Sequence, residues 1–277
     1  MNIKYNDLYT LSLDNKIPIL DLEILFCHVL KIERSFLKAH PENIINFEQA
    51  TVFYNLLARR ANNEPIAYII GNKNFWDLNL LVNQDVLIPR PETELLVEQI
   101  LERLPIDSCA TILELGTGSG AISLAIAKNR PNTIITATDI SIPALDIAKA
   151  NAKNLNIENI NFLYGNWFYT VPKLNSKFDF IISNPPYIAF NEINLCNQEI
   201  FYEPKIALFS TDNGINCLQQ IIFGSQKYLQ PNGYLLLEHG INQAPQLINL
   251  LRGANFAEIE SFKDLSSIDR AVVAKNV

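Results

Sequence analysis

The sequence predicts an α/β protein with a largely parallel sheet, preceded by a helical region and a β-hairpin connector. Three observations support this fold class: apolar residues recur at helical spacing near the N-terminus, a short β-prone stretch follows, and strand-like and helix-like segments then alternate. The 277 residues suffice for one large domain or two modest ones. The predicted division is a helical bundle over 1–72, a hairpin linker over 73–90 and an α/β domain over 91–277.

The N-terminal region is predicted to be a bundle of several short helices. Leu22, Leu25 and Phe26 belong to a run of apolar residues with helical spacing, and glycine is absent before Gly71. Between residues 73 and 90 this pattern ends, and aromatic and β-prone side chains predict a hairpin. The elements predicted beyond residue 91 are, in chain order, strand Thr111–Leu115, helix Gly120–Lys128, strand Thr133–Thr138, helix Pro143–Asn154, and strands Ile160–Leu163, Phe178–Ser183, Tyr234–Glu238, Asn255–Phe262 and Arg270–Lys275.

Composition favours a cytoplasmic protein without a metal site. The 22 basic and 29 acidic residues give a formal net charge of −7, which argues weakly against binding to nucleic acid through phosphate contacts. No apolar run approaches the roughly 18 residues of a membrane span, and Asp7 interrupts any signal-peptide core. The cysteines lie far apart without a Cys-x-x-Cys pair, which predicts reduced thiols rather than zinc ligands: Cys27, Cys109, Cys196 and Cys217.

A glycine-rich turn connects the strand Thr111–Leu115 to the helix that follows it. Glycine allows a tight turn and lets a ligand approach the main chain without obstruction by a Cβ atom. The pattern G-x-G-x-G is a weak motif by itself, and a tight turn without a ligand is the alternative. The residues of this candidate cofactor site are Gly116, Thr117, Gly118, Ser119 and Gly120.

An acidic residue ends the next predicted strand, 19 positions after Gly120. A carboxylate there, Asp139, can accept hydrogen bonds from both hydroxyls of a ribose, which points to a cofactor that contains adenosine. The following strand leads to Asn166 and Trp167, which could supply a polar group and an aromatic face to an adenine ring. A solvated aspartate and a core tryptophan are the alternatives.

The strand Phe178–Ser183 leads directly into an Asn-Pro-Pro-Tyr sequence. Proline fixes φ and removes an amide donor, so this loop presents carbonyl acceptors in a stiff backbone. The side-chain carbonyl of Asn184 and the main-chain carbonyl of Pro185 could hold both hydrogens of a planar –NH₂ group, with Tyr187 over its face. Such a grip would favour rehybridisation of the nitrogen and direct its lone pair at an electrophile. A proline-rich end to a strand is the alternative.

These motifs resemble those of the peptide chain release factor glutamine N5-methyltransferases, a family of class I S-adenosylmethionine-dependent methyltransferases. The resemblance covers essentially the whole chain. The G-x-G-x-G turn is shared by many methyltransferases, whereas the proline-rich elements in this order are far more specific. Three further motifs narrow it: Ile88-Pro-Arg-Pro-Glu-Thr-Glu94, Phe201-Tyr-Glu-Pro204 and Leu237-Glu-His-Gly240.

The resemblance implies a Rossmann-like domain with a seven-stranded, mostly parallel sheet. It also implies methyl transfer from S-adenosylmethionine to the amide N5 of the glutamine in the Gly-Gly-Gln motif of class 1 release factors, with the N-terminal bundle helping to dock that partner. The implied cofactor-binding residues are Gly116, Thr117, Gly118, Ser119, Gly120, Asp139, Asn166, Trp167 and Asn184. The implied substrate-binding residues are Asn184, Pro185, Pro186 and Tyr187, of which Asn184, Pro185 and Tyr187 are expected to be catalytic.

Three departures from the family pattern and three alternative functions accompany this resemblance; one departure, Asp212-Asn213-Gly214 in place of the usual Asp-Gly pair, is read as loop variation. Glu114 stands where aspartate is common, and Asn166 stands where an acid is frequent. A glutamine methyltransferase acting on a ribosomal protein would share the same chemistry. An adenine-N6 DNA methyltransferase must also hold a planar –NH₂ group whose lone pair is delocalised. Such an enzyme is expected to have a basic cleft and a target-recognition region, and neither is visible in the sequence. A non-catalytic cofactor-binding protein would not require the intact Asn184 and Tyr187. Neither stable nucleic-acid binding nor membrane binding is expected.

Overall fold

The chain folds into two compact units, which this computed structural model describes over residues 3–171, 177–195 and 197–277. The first unit comprises the residues up to Asn72 together with Gln198–Tyr202. The second comprises Lys73–Asn197 and Glu203–Val277. The segment 198–202 therefore belongs to the first unit although the chain on either side of it belongs to the second.

The first unit is helical, as predicted. Leu8, Leu22, Phe26 and Phe53 are fully buried in its apolar core. Its two-residue strands pair antiparallel, a feature that the helical pattern did not predict. The elements are β1 (Ile3–Lys4), α1 (Asp7–Asn15), α2 (Ile19–Leu30), α3 (Arg34–Ala39), β2 (Ile44–Ile45), α4 (Phe47–Ala61) and α5 (Ile66–Ile70).

A buried arginine connects three parts of the first unit. Arg60, near the end of α4, pairs with Asp21 of α2 at 2.6 Å and with Glu199 at 2.7 Å. Its guanidinium also donates to the main-chain oxygen of Glu64 at 3.2 Å. Only 12% of the Arg60 side chain is exposed. Since each carboxylate satisfies a different edge of the guanidinium, Arg60 fixes the segment 198–202 on the helices.

The second unit is built on a seven-stranded sheet. A hairpin of β3 (Asn72–Phe75) and β4 (Leu78–Leu81) precedes it, and the rest of the predicted connector, residues 82–90, contains no strand. The strands of the sheet follow the predicted segments to within one residue at each end, except that β11 begins five residues before the predicted Tyr234. They are β5 (Thr111–Leu115), β6 (Ile134–Asp139), β7 (Ile160–Tyr164), β8 (Phe178–Ser183), β11 (Leu229–Glu238), β12 (Phe256–Lys263) and β13 (Asp269–Asn276). A separate parallel pair consists of β9 (Ile188–Ala189) and β10 (Phe209–Ser210).

The strand order is β12-β13-β11-β8-β5-β6-β7, and the five strands from β11 to β7 are parallel. Strand β13 runs antiparallel to both of its neighbours. The chain reverses its direction of travel across the sheet between β5 and β8, so a crevice is expected at their carboxyl ends. The predicted mostly parallel sheet is confirmed.

Helices cover both faces of the sheet. Side chains of α6 and α7 pack with Ile112 and Leu236 on one face, while those of α9 and α10 pack with Leu113 and Leu237 on the other. The helices are α6 (Glu94–Arg103), α7 (Ala121–Asn129), α8 (Ile142–Asn154), α9 (Asn216–Ser225) and α10 (Ala244–Gly253). The sequence analysis located α7 and α8 and did not locate the other three. Among the described residues, no helix has the length and apolarity that a membrane crossing requires.

We predict that Arg60→Met lowers the free energy of unfolding by roughly 2–4 kcal/mol, because it leaves Asp21, which is mostly buried, without its partner. Lys128→Met is the control: the Lys128 side chain is 43% exposed and its partner Asp77 is 55% exposed, so this ion pair should contribute less than about 1 kcal/mol. Urea denaturation of both variants measures the difference. An equal loss of unfolding free energy in both variants would contradict the prediction that Arg60 contributes more to stability than the control residue.

Candidate active site

A cavity of about 390 Å³ opens at the carboxyl ends of β5, β6 and β8 in the second unit. This volume lies in the range of roughly 300–1,000 Å³ that is typical of small-molecule sites. Its wall includes seven of the residues singled out from the sequence: Gly116, Gly118, Asp139, Asn166, Trp167, Asn184 and Pro186. The other five do not line the cavity: Thr117, Ser119, Gly120, Pro185 and Tyr187.

The glycine turn presents its main chain to the cavity at alternate residues. The amides of Gly116 and Thr117 both donate to the carbonyl oxygen of Thr138, at 2.8 and 2.9 Å, which holds the turn on β6. Gly118 has a φ of 54°, and a Cβ atom added there would meet nothing within 4 Å. The open space beside Gly118 lies on the cavity side, so a ligand can approach its backbone.

A buried carboxyl group lies behind the turn. Glu114 is 1% exposed, and its Oε2 accepts hydrogen bonds from the hydroxyls of Thr117, at 2.7 Å, and Ser123. Burial raises the pKa of Glu114 to about 7, and the two hydroxyl donors oppose this rise. Thr117 therefore holds the turn against the strand from behind, which explains why its side chain is turned away from the cavity.

Asp139 stands at the cavity wall and is held by main-chain amides. Its Oδ2 accepts from the amide of Gly118 and its Oδ1 from the amide of Ser141, both at 2.8 Å. Burial raises the pKa of Asp139, while the amide hydrogen bonds lower it. Each carboxylate oxygen can accept two hydrogen bonds and is given one amide donor here, so both oxygens retain a lone pair for ligand hydroxyls.

Trp167 combines the two roles that the sequence left open. It lines the cavity, and it also packs against the apolar core on one face of the sheet. Its φ of 45° is unusual for a bulky residue. A Cβ atom added at Gly116 would lie 3.6 Å from the Trp167 ring, an ordinary contact, so the φ of 73° rather than crowding by the ring favours glycine there. Asn166 lies beside it on the wall.

The Asn-Pro-Pro-Tyr loop is held by two residues that the sequence analysis did not assign. The side-chain Nδ2 of Asn184 donates to the hydroxyl of Thr93 at 3.0 Å, which leaves Oδ1 without a donor among the described residues. Pro185 is buried. The phenolic OH of Tyr187 donates to Oε1 of Glu238 at 3.0 Å, and burial next to this carboxyl raises the Tyr187 pKa.

Two of the motifs that carried the resemblance contact each other. Arg90 forms an ion pair with Glu203 at 2.5 Å, and the other oxygen of Glu203 accepts from the amide of Ile88 at 3.1 Å. The Glu203 side chain is only 2% exposed. This contact ties together the segments 85–87 and 204–207, which form further parts of the cavity wall. The sequence spacing of 113 residues carries no signal of this pairing.

Comparison with known proteins agrees with these motifs. The family model described as "Methyltransferase small domain" matches residues 91–211, and "PrmC N-terminal domain" matches residues 11–71. The chain is 45% identical over 261 residues to the release factor glutamine methyltransferase of Coxiella burnetii, covering 94% of this chain and 93% of that one. The chain belongs to the release factor glutamine methyltransferases.

Further relatives support membership of the release factor glutamine methyltransferases. The family member from Buchnera aphidicola (strain APS) is 43% identical over 258 residues, covering 93% of this chain and 92% of that one. A solved methyltransferase from Pyrococcus furiosus has a TM-score of 0.53 and 18% identity, covering 80% of this chain and 99% of that chain. At this identity the similarity shows the fold alone. The expected Rossmann-like class I methyltransferase fold is confirmed.

We predict that the free energy of unfolding falls between about pH 4.5 and 7 because of Glu114. Its pKa rises from 4.5 to about 7 on folding, so the folded chain binds more protons in this window and loses stability as the pH rises. The difference corresponds to about 3 kcal/mol. Urea denaturation at several pH values should show a smaller decline for Glu114→Gln, whereas Glu102→Gln, at an exposed position, should retain the full decline. Parallel curves for wild type and Glu114→Gln would contradict the assignment.

Proposed function

We propose that this protein transfers a methyl group from S-adenosylmethionine to the side-chain amide N5 of the glutamine in the Gly-Gly-Gln motif of class 1 peptide chain release factors. Its 45% identity to a release factor glutamine methyltransferase over nearly the full chain is the observation that carries the proposal. The amide oxygen of Asn184, free to accept at the cavity, supports the same chemistry. We propose that the first unit helps to dock the release factor.

The cavity suits S-adenosylmethionine in size and in the placement of its polar groups. The backbone of Gly116 and Gly118 is open to a ligand, and Asp139 retains acceptor capacity for the two hydroxyls of a ribose. Asn166 and Trp167 offer a polar group and an aromatic face for adenine. When bound, S-adenosylmethionine supplies an electrophilic methyl group on a positively charged sulfur.

The Asn-Pro-Pro-Tyr loop supplies acceptors for the substrate amide. An amide nitrogen is a poor nucleophile because its lone pair is delocalised into the carbonyl group. In the proposed mechanism, Oδ1 of Asn184 accepts one hydrogen of the glutamine –NH₂ group. The main-chain oxygen of Pro185 accepts the other; Pro185 does not line the cavity itself, but it lies between the wall residues Asn184 and Pro186. These two hydrogen bonds favour a pyramidal geometry at the nitrogen and orient its lone pair. Such positioning can lower the activation free energy by several kcal/mol. As the nitrogen forms its bond to the methyl carbon, the bond from that carbon to sulfur would break and its electron pair would stay on the sulfur, which becomes a neutral thioether. The nitrogen would lose one proton to solvent, so no dedicated general base is required.

The charge of the protein supports a protein substrate. A formal net charge of −7 is unfavourable for a surface that grips a phosphate backbone. The rival adenine-N6 DNA methyltransferase would also have to extract its base from the duplex. The relatives that match nearly the full chain are named release factor glutamine methyltransferases. They favour neither DNA nor a ribosomal protein as the substrate.

We predict that Asp139→Ala weakens S-adenosylmethionine binding by about 10- to 150-fold, which corresponds to the roughly 1.5–3 kcal/mol of hydrogen bonds to a charged group. Isothermal titration calorimetry measures this affinity. Asp146→Ala, an exposed position on α8, is the matched control and should bind as wild type does. An unchanged affinity for Asp139→Ala would remove this carboxylate from the cofactor site.

The substrate is tested by incubating the protein with methyl-labelled S-adenosylmethionine and, separately, a class 1 release factor, ribosomal proteins and duplex DNA. We expect label on the release factor alone, at the glutamine of its Gly-Gly-Gln motif. Asn184→Ala should slow single-turnover transfer on the order of 10²-fold or more, because it removes a preorganised acceptor. The exposed Asn249→Ala on α10 serves as the control. Label on DNA alone would overturn the proposed function, and an unimpaired Asn184→Ala would overturn the amide-clamp mechanism.

A further inference from the structure

A buried carboxyl group, that of Glu238, ends the strand next to the Asn-Pro-Pro-Tyr loop. Leu237 pairs with Ser183 in the parallel register of β11 and β8, so Glu238 and Asn184 follow at the same level of the sheet. Glu238 is 1% exposed. Its Oε1 accepts the hydrogen bond from the Tyr187 phenol. A carboxyl group in such a buried position is costly, so its hydrogen bonds must be well matched for it to persist.

The Thr93 hydroxyl interacts with Asn184 and lies in the surroundings of this carboxyl group. It accepts from Nδ2 of Asn184 at 3.0 Å. The Oε2 atom of Glu238 is buried and has no hydrogen-bond partner among the described residues. The Thr93 side chain lowers the Glu238 pKa, so its rotatable hydroxyl is the candidate donor to Oε2. A threonine hydroxyl has one proton and two lone pairs, so it can serve both groups at once.

The position of Thr93 at a helix start does not account for its hydroxyl. Thr93 precedes α6 and is 4% exposed, but its side chain makes no capping hydrogen bond to that helix. The hydroxyl is directed instead at Asn184, which lies 91 residues further along the chain. Its hydrogen-bond partner is thus the loop, and its proton is available to the buried carboxyl group rather than to the helix that begins beside it.

We propose that Thr93 and Glu238 are positioning residues for methyl transfer, which set the orientation of the Asn184 amide and anchor Tyr187. In this arrangement Glu238 is the terminal acceptor for two hydroxyl groups, those of Thr93 and Tyr187. Thr93, with its proton directed at Glu238, presents only a lone pair to Asn184. The nitrogen end of the Asn184 amide must therefore face Thr93, and the oxygen end faces the cavity. The proposal rests on the proposed glutamine methylation.

The orientation of this amide decides whether the loop attracts or repels its substrate. With Oδ1 toward the cavity, Asn184 accepts a hydrogen from the glutamine –NH₂ group. Rotation of the amide by 180° would instead place one –NH₂ group against another, and neither could accept. Tyr187, with its phenol bonded to Glu238 and its side chain away from the cavity wall, acts here as an anchor of the loop rather than as a cover over the substrate amide.

Two substitutions at Thr93 separate the hydroxyl from the shape of the side chain. Thr93→Val keeps the shape and removes the hydroxyl, whereas Thr93→Ser keeps the hydroxyl. We expect Thr93→Val to lower kcat for release factor methylation at least 10-fold while the Kd for S-adenosylmethionine stays within about 2-fold of wild type, since Asp139 and the glycine turn are untouched. Thr93→Ser should keep kcat within about 3-fold of wild type. Glu238→Gln, which retains the size of the side chain, should also lose at least 10-fold in kcat at unchanged cofactor affinity.

A spectroscopic readout tests the same orientation without turnover. In ¹⁵N NMR spectra, the side-chain –NH₂ protons of Asn184 should exchange slowly with solvent in the wild type and in Thr93→Ser, and faster in Thr93→Val. Two results would overturn the positioning role: a wild-type kcat in Thr93→Val, or an equal loss of kcat in Thr93→Ser and Thr93→Val. The proposed function would stand in either case, provided that the unmutated protein methylates release factors. If Thr93→Val does not fold, wild-type kcat in Glu238→Gln would overturn it instead. A wild-type protein inactive on release factors would overturn the proposed function itself.

Discussion

The parallel register of three strands is the constraint on which the candidate site depends. Leu115 of β5 pairs with Thr138 of β6 on one side and with Ser183 of β8 on the other. The next residues along these strands, Gly116, Asp139 and Asn184, therefore reach the same edge of the sheet, although they come from positions up to 68 residues apart. A slip of one residue would turn the side chains of a strand to the opposite face. Hydrophobic burial on both faces of the sheet thus fixes the geometry of the site.

Buried acidic side chains at this edge of the sheet hold the loops that follow the strands in fixed positions. Glu114 holds the glycine turn through hydroxyls, Asp139 is bound by two amides, and Glu238 anchors the Asn-Pro-Pro-Tyr loop. Burial raises the pKa of all three, so each opposes folding in its ionised form. Proteins tolerate such local costs where a site requires preorganised groups. The large apolar cores on both faces of the sheet offset them.

The sequence predicted the parts of this architecture that depend on local pattern. The bounds of β5 and β8 agree residue for residue, because apolar runs next to turn residues mark a buried strand. Helices α6, α9 and α10 were not located, although Leu96, Val97 and Ile100 show the same helical spacing in α6. The motifs also could not show which turn residues face the cavity. That choice depends on backbone dihedrals and on Glu114 behind the turn.

Contacts between distant positions explain what the motifs could not show. Thr93 and Glu203 each belong to a motif that the sequence analysis quoted, yet their partners Asn184 and Arg90 lie 91 and 113 residues away. No local periodicity encodes such pairs, since the fold alone brings them together. The proposed amide clamp on Asn184 would accept any planar –NH₂ group that reaches it. Its chemistry therefore selects a nitrogen nucleophile, whereas the choice among proteins that carry one must be made by surfaces outside the clamp.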